Sequence, residues 1–235
     1  MTAKDKHTAQ HYYLILGTLF ITSLVVSNLI FQKFFYWYPV NNMEVFGAKL
    51  FEISVGILPY PITFLITDLI SEIYGKKRAN QIVVVGIFAS LFSMAIVYTA
   101  NAVPATPWSP VNDGTFTHVF GSTAIAVLAS MMAYLFAQFI DIQLYHFWKG
   151  VTKGKHLWIR NNFSTWFSQF IDTLTVLLLL CLFGKIPWDK FQGLLIAGFM
   201  FKLIIAILDT PFLYLGVHLF RKRFNLKVNE ELDIL

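Results

Sequence analysis

Long apolar segments separated by short polar stretches dominate the pattern of hydrophobic and polar positions along this chain. Six segments are predicted to span a membrane, with limits near 11–34, 51–74, 79–100, 116–147, 157–183 and 188–220. Each reaches or exceeds the ~20 residues that a helix needs to cross about 30 Å of hydrocarbon. The pattern therefore predicts an all-α membrane protein, in which residues 1–235 form a single domain of six transmembrane helices in a compact bundle.

The second span contains two prolines, Pro59 and Pro61, close to its start. Proline lacks a backbone donor and disfavours helix at the residue before it. We therefore expect residues 48–58 to form an extended or re-entrant piece, interrupted by proline, that leads into a helix starting near Pro61. Non-helical backbone at membrane depth must be buried in protein or line a cavity. A cavity near this piece is accordingly expected.

Composition and charge support a membrane setting. Only 13% of the residues are charged, against about a quarter in soluble domains. The deficit is typical of a surface that faces lipid, where no water solvates charge. The formal net charge of +5 would suggest nucleic acid in a soluble protein. Here most basic residues lie in short loops beside apolar runs, so no nucleic-acid partner is predicted.

The basic residues also predict an orientation. Thirteen of the 18 Lys and Arg residues lie at one set of span ends and four at the other, while Lys202 lies inside a span. The positive-inside rule then places both termini in the cytoplasm. The loop 101–115 has three prolines and no Lys or Arg, and it is predicted to face outward.

Ionisable side chains inside the predicted spans are the strongest candidates for a site. Six are found there: Asp68, Glu72, Asp141, Asp172, Lys202 and Asp209. Each costs roughly 2.5–3.5 kcal/mol at a helix centre, so all should face the interior, pair with one another or contact a ligand. Asp172 is too deep to reach the surface, and Gln169 shares its helix face. Asn28, deep in the first span, can both donate and accept hydrogen bonds.

The remaining acids leave alternatives open. Lys202 and Asp209 lie on one face, seven residues apart, and either a structural pair or a ligand role is consistent with this spacing. Asp68 and Glu72 are four residues apart and share a face. Their mutual repulsion suggests a proton site or a cationic ligand group, with an interfacial role as the alternative. Asp141 lies near a cytoplasmic end and is expected to be structural.

Catalytic patterns are absent from the sequence. It contains no Ser-His-Asp constellation, metal-type His spacing, Gly-rich phosphate loop or HExxH motif. We therefore predict that the protein is not an enzyme and needs no cofactor and no metal, and an intramembrane enzyme is the least favoured interpretation.

Four motifs follow one another along the chain: SNL at 27–29, PITFLITDLISEIYGKKRA at 61–79, RNNFSTWFSQFIDT at 160–173 and KLIIAILDTPFLY at 202–214. In this order they resemble the queuosine precursor transporters, also called the vitamin uptake transporter family. The block TDLISEIYG is the most specific of them. The resemblance extends over nearly the whole chain and includes the layout of six segments.

The resemblance implies an importer in the cell inner membrane that carries 7-deazaguanine compounds such as preQ0, preQ1 or queuine for tRNA modification. It also implies a fold similar to the six-helix substrate-binding subunits of energy-coupling-factor transporters. The alternative function is such a subunit within a multi-component, ATP-driven vitamin transporter. The preferred deazapurine, the energy source, and the presence of a homo-oligomer or of partner subunits stay open at this stage.

The chemistry of such a ligand suits the polar residues of the spans. A deazaguanine presents an N–H and an amino group that a carboxylate accepts well, and a carbonyl that Asn, Gln or Lys can donate to. Its rings would stack on aromatic side chains. The predicted substrate contacts are Asn28, Asp68, Glu72, Gln169, Asp172, Lys202 and Asp209. Either Asp172 or Glu72 is expected to bind the guanine-like edge.

Overall fold

Seven α-helices and four short strands form the part of the chain that the computed structural model describes, residues 3–31, 33–36, 44–45, 48–49, 52–121, 124–184 and 186–233. The helices are α1 (Ala3–Ile30), α2 (Tyr60–Ile73), α3 (Lys76–Ala102), α4 (Asp113–Phe116), α5 (Ala124–Val151), α6 (Leu157–Leu182) and α7 (Phe191–Phe224). The strands are β1 (Phe34–Tyr36), β2 (Glu44–Val45), β3 (Ala48–Lys49) and β4 (Glu52–Ser54). The architecture is all-α, as predicted, with two small antiparallel ribbons between α1 and α2.

Five segments of the described chain are long and apolar enough to cross a membrane. They are Lys4–Ile30, Val55–Ile73, Lys76–Ala102, Leu157–Leu182 and Trp188–Phe224. The fourth predicted span, 116–147, includes residues 122 and 123, which lie outside the described residues, and α5 begins just after them. The predicted count of six spans therefore stays a prediction.

The segment between α1 and α2 is extended where the structure describes it. β1 pairs with β4 in antiparallel register, with Phe34 opposite Ser54, and a single 3-10 turn, Val55–Ile57, follows β4. The first predicted span, 11–34, is wrong at its end because α1 ends at Ile30 and Phe34 already belongs to a strand. Residues 50 and 51 of the second predicted span lie outside the described residues, and the re-entrant character of 48–58 stays a prediction.

Prolines and one glycine set the limits of α2. Pro59 caps the helix and Pro61 lies in its first turn, where a missing N–H removes no helical hydrogen bond. The helix ends at Ile73, Tyr74 is its C-cap, and Gly75 follows with a φ of +82°, in the region that glycine occupies without steric cost. Because α3 begins at the next residue, this one glycine reverses the chain between two neighbouring helices.

α2 occupies the centre of the bundle. Ten of its 14 residues are buried, and it packs against α1, α3, α5 and α7. By contrast, α1 and α3 expose large apolar side chains such as Leu14, Leu19, Phe88 and Phe92. An apolar exterior of this kind matches a hydrocarbon surrounding rather than water. The polar groups of α2 are consequently the ones that face other helices.

Candidate functional site

A cavity of about 240 Å³ lies where α1, α2, α5, α6 and α7 meet, beside the turn that follows β4. Asn28 near the end of α1, Leu180 near the end of α6 and Leu194 near the start of α7 line it. These positions place the cavity toward the end of the bundle at which α1 and α6 terminate. The expected cavity beside the proline-containing segment is therefore present, since Gly56, Ile57 and Tyr60 also line it.

Asp172 is the acidic group in the wall of this cavity. Its Oδ2 atom accepts hydrogen bonds from the Tyr60 hydroxyl and from Nζ of Lys202. The carboxyl group is 2% exposed, and its second oxygen, Oδ1, has no hydrogen-bond partner in the described structure. An unsatisfied buried acceptor is costly. This fixed carboxylate therefore has one oxygen left for a donor on a ligand.

Lys202 pairs with Asp172 on the neighbouring helix α6 rather than with Asp209. Its Nζ also lies 4.6 Å from the centroid of the Tyr60 ring, within the range of a cation–π contact. Lys202 and Asp209 are separated by two turns, or roughly 10 Å along the helix. The alternative of a structural Lys202–Asp209 pair is therefore not realised.

Two tyrosines supply an aromatic surface in the cavity. The ring centroids of Tyr60 and Tyr134 lie 4.6 Å apart with planes tilted by 53°, and both residues line the cavity. Asn28 adds an amide whose Nδ2 donates to the Leu24 carbonyl oxygen at 2.9 Å. The side-chain carbonyl of Asn28 is then the group that could accept from a ligand. Rings and polar groups together suit a flat, polar heterocycle.

A second, much smaller cavity of about 20 Å³ adjoins the first. Tyr60 and Lys202 line both cavities, and Gln169, Asp209 and Thr165 line only the smaller one. The Oε1 atom of Gln169 is buried without a hydrogen-bond partner in the described structure. Two of the predicted substrate contacts, Gln169 and Asp209, thus lie just beyond the main cavity rather than in its wall.

Glu72 lies outside both cavities, in a cluster of cations. Its Oε1 atom lies 2.6 Å from Nη2 of Arg160 on α6 and 2.5 Å from Nη2 of Arg221 on α7. Its Oε2 atom accepts from the Tyr145 hydroxyl at 3.2 Å and lies 3.8 Å from Nζ of Lys149, both on α5. Both carboxylate oxygens of Glu72 are therefore engaged by the protein, which joins α2 to three other helices at this point.

Asp68 is also outside the cavities, and its neighbour is Asp141 on α5 rather than Glu72. The Asp68 and Asp141 carboxyl groups are direct neighbours, and both are buried. Oγ of Ser168 on α6 donates to Oδ1 of Asp141 at 2.9 Å. The two acids of α2 that share a helix face thus have opposite environments, one cationic and one acidic. Within the described ranges, no three His, Cys, Asp or Glu side chains come together to hold a metal ion.

Sequence reasoning missed several residues that the structure brings to these sites, among them Tyr60, Tyr134, Arg160 and Arg221. Arg160 belongs to the basic residues at the span ends that predict only an orientation, yet its side chain is 1% exposed. One signal could have found it, because buried acids within a membrane predict a buried cation as partner. No comparable signal singles out Tyr60 or Tyr134 among 40 aromatic residues.

Comparison with known proteins identifies a family that this chain matches. The family described as "Putative vitamin uptake transporter" matches residues 54–216. A protein of Bacillus subtilis (strain 168) named "Probable queuosine precursor transporter" is 26% identical over 176 residues, which cover 74% of this chain and 75% of that protein. The "Queuosine precursor transporter" of Escherichia coli (strain K12) is 25% identical over 162 residues, covering 67% and 69% of the two chains. No solved structure gives a significant match.

Proposed function

The chain belongs to the vitamin uptake transporter family, and from this premise we propose that it imports a 7-deazaguanine precursor of queuosine across the membrane. It is a multi-pass membrane protein of a family of transporters, not of enzymes. The names of the two relatives support queuosine precursors as the substrate class. The observation that carries the proposal is the buried, unpartnered Oδ1 of Asp172 in the wall of an aromatic-lined cavity.

The cavity has the chemistry that a deazaguanine needs. Asp172 would accept from the N–H and amino groups on one edge of the base, in charge-assisted hydrogen bonds. Lys202 and Asn28 would serve the remaining polar groups, and the rings of Tyr60 and Tyr134 would contact the face of the base. A volume of about 240 Å³ lies below the range of about 300–1,000 Å³ typical of drug-sized ligands. It therefore suits a small bicyclic base better than a nucleotide.

Asp209 and Gln169 would not contact the bicyclic base itself, because they line the smaller cavity and not the larger one. They line the small cavity that shares Tyr60 and Lys202 with the large one, so they would bind a polar substituent that extends past these two residues. The amino group of preQ1 is such a substituent, and Asp209 offers it a negative charge.

Glu72 and the cations around it, which we call the Glu72 cluster, would close the end of the bundle that is opposite the cavity. With both termini in the cytoplasm, the cavity would lie toward the outside, and the cluster of Glu72 with Arg160, Arg221 and Lys149 would lie between it and the cytoplasm. Transport requires these contacts to part while others close the outer side. We therefore assign Glu72 to the inner gate, and Asp172 alone to the guanine-like edge.

Uptake by purified protein in liposomes tests this function. Labelled preQ0, preQ1, queuine and guanine are offered without ATP and without any partner protein. We expect uptake of at least one deazaguanine, with binding weakened about 10- to 100-fold in Asp172→Asn, since a hydrogen bond to a charged group contributes about 1.5–3 kcal/mol. Asp189→Asn, an exposed acid 3.8 Å from Lys190, is the matched control.

The outcome distinguishes a carrier that works alone from a substrate-binding subunit of a larger transporter. Uptake without ATP supports a solitary carrier. Binding without uptake, restored only by ATPases and a membrane partner, supports a substrate-binding subunit instead. Equal binding by Asp172→Asn and the native protein would remove Asp172 from the site.

A further inference from the structure

Two carboxyl groups face each other in the interior of the bundle without a cation. Asp68 on α2 is 2% exposed and Asp141 on α5 is 0% exposed, and the two carboxyl groups are direct neighbours. No Lys, Arg or His side chain forms an ion pair with either of them in the part of the chain that the structure describes. The proposed function uses neither residue to bind the substrate.

The groups around the pair come from several helices, and none of those named here neutralises it. α6 contributes the hydroxyl groups of Ser168 and Thr165, and α7 contributes Asp209, a third acid. α5 contributes Tyr134 and Tyr145 as the nearby ionisable side chains. On α2 itself, Glu72 is already bound by its own cations. Neither α1 nor α3 places a fully buried ionisable side chain in the described structure.

Two buried carboxylates in contact cannot both carry a charge. Removing one charge from water costs several kcal/mol even after relaxation, and a second like charge beside it adds repulsion. Such pairs hold one proton between them. The described structure also leaves one oxygen of each group, Oδ1 of Asp68 and Oδ2 of Asp141, without a hydrogen bond. Two ionised carboxylates can only accept hydrogen bonds, whereas a proton on one of them lets that group donate a hydrogen bond to the other.

Thr165 lies beside both the carboxyl pair and the smaller of the two cavities. Its hydroxyl is next to both carboxyl groups, is buried and has no hydrogen-bond partner of good geometry in the described structure. Thr165 also lines the small cavity of about 20 Å³ that continues from the substrate cavity past Gln169. That volume, with polar side chains such as Thr165, Gln169 and Asp209 in an otherwise apolar wall, is enough for one water molecule. A proton could therefore pass between the substrate cavity and the pair.

The pair lies between the substrate cavity and the inner gate. Along α6, Asp172 belongs to the cavity, Ser168 to the pair and Arg160 to the Glu72 cluster. With a rise of 1.5 Å per residue, Ser168 is about 6 Å from Asp172 and about 12 Å from Arg160 along the axis. A change of charge at the pair would thus act directly on the helices that the gate must move.

We infer that Asp68 and Asp141 form a proton-binding site that couples inward movement of the substrate to inward movement of one proton. This inference rests on the proposed function. The proton enters the pair from the outward-facing cavity and leaves toward the cytoplasm when the gate opens. The unprotonated pair, with its added negative charge in a low-dielectric interior, disfavours the state in which α2 and α5 are packed together.

A transport experiment tests the coupling. In liposomes, we expect an inward proton gradient to drive accumulation of the precursor and a protonophore to abolish it, while a sodium gradient has no effect. Asp141→Asn should lower the accumulation ratio to about that of equilibration, yet retain exchange of labelled for unlabelled substrate across the membrane. Asp189→Asn should accumulate substrate like the native protein. Accumulation driven by sodium, or indifferent to both gradients, would overturn the inference.

A spectroscopic experiment tests the proton without any substrate. Infrared spectra of the purified protein should contain the carbonyl stretch of a protonated carboxylic acid at neutral pH, and this band should be lost in Asp68→Asn and in Asp141→Asn but not in Asp189→Asn. Absence of such a band in the native protein would contradict the inference that the two carboxyl groups share a proton. If no deazaguanine is transported under any gradient while the band behaves as expected, the proposed function fails and the proton-binding site stands.

Discussion

Nη2 of Arg160 lies 2.6 Å from Oε1 of Glu72, and both side chains are buried, at 1% and 0% exposure. Arg160 also donates through Nη1 to the Gly154 carbonyl oxygen at 2.8 Å, so the guanidinium joins α2, α6 and the loop before α6. Arg221 reaches the same carboxylate oxygen from α7. The end of the bundle at which α2 terminates is therefore held by one acid with several cations, and that acid lies on the central helix.

Loss of the Glu72 charge should destabilise the protein strongly. Glu72→Gln leaves Arg160 and Arg221 close together without their anion, and breaking a buried pair in this way costs about 3–5 kcal/mol. We expect a large fall in the thermal midpoint measured in detergent, together with leakage of substrate through the carrier. Asp189→Asn disrupts only an exposed pair and should not change the midpoint measurably. A Glu72→Gln protein as stable as the native one would refute the gate assignment.

Asp172 and Lys202 should behave as a coupled pair in stability but not in binding. Either Asp172→Asn or Lys202→Met leaves one buried group without its partner, whereas the double variant removes both charges. The double variant should therefore be more stable than the sum of the two single effects predicts. It should still bind a deazaguanine at least about 10-fold more weakly than the native protein, because the carboxylate is gone. Thermal midpoints and equilibrium binding of the four proteins measure this, and strictly additive effects would contradict it.

Gly56 should tolerate no side chain. A Cβ atom there would lie 2.6 Å from the Ser27 carbonyl oxygen and 2.8 Å from Cβ of Phe31, so the turn after β4 would have to move away from α1. Gly56→Ala should cost about 1–3 kcal/mol and weaken substrate binding, since Gly56, Ser27 and Phe31 all line the cavity. Gly150→Ala is the control, because nothing lies within 4 Å of a Cβ at that position. Equal melting of the two variants would disprove this packing argument.

The C-terminal segment should stabilise the end of the bundle at which α2 terminates. Leu232 is 4% exposed, and its N–H donates to the Ile73 carbonyl oxygen at 2.7 Å. Leu232→Ala should lower stability by about 2 kcal/mol and speed cleavage of the segment in limited proteolysis. Val228→Ala, at a site 56% exposed, should do neither. Unchanged proteolysis of Leu232→Ala would indicate that the segment is not docked in solution.

The sequence alone identified the family and most of the membrane helices. The predicted limits of the third and fifth spans, 79–100 and 157–183, lie close to Lys76–Ala102 and Leu157–Leu182. Span length follows from the thickness of the hydrocarbon layer, which is the same whatever the helix packs against. The resemblance to vitamin uptake transporters rested on local motifs, and the family match confirms it. The substrate contacts stay predictions.

The sequence also singled out six ionisable side chains within the predicted spans, because a charge inside a membrane is costly unless it has a partner or a function. Only the tertiary structure decided how they pair. Spacing placed Glu72 beside Asp68 and Lys202 beside Asp209, yet Glu72 binds Arg160, Asp68 contacts Asp141, and Lys202 binds Asp172. Helix periodicity fixes only the face on which a side chain lies. The partner of that side chain depends on how the neighbouring helix is rotated and how deep it lies, and both are set by the packing of the helices.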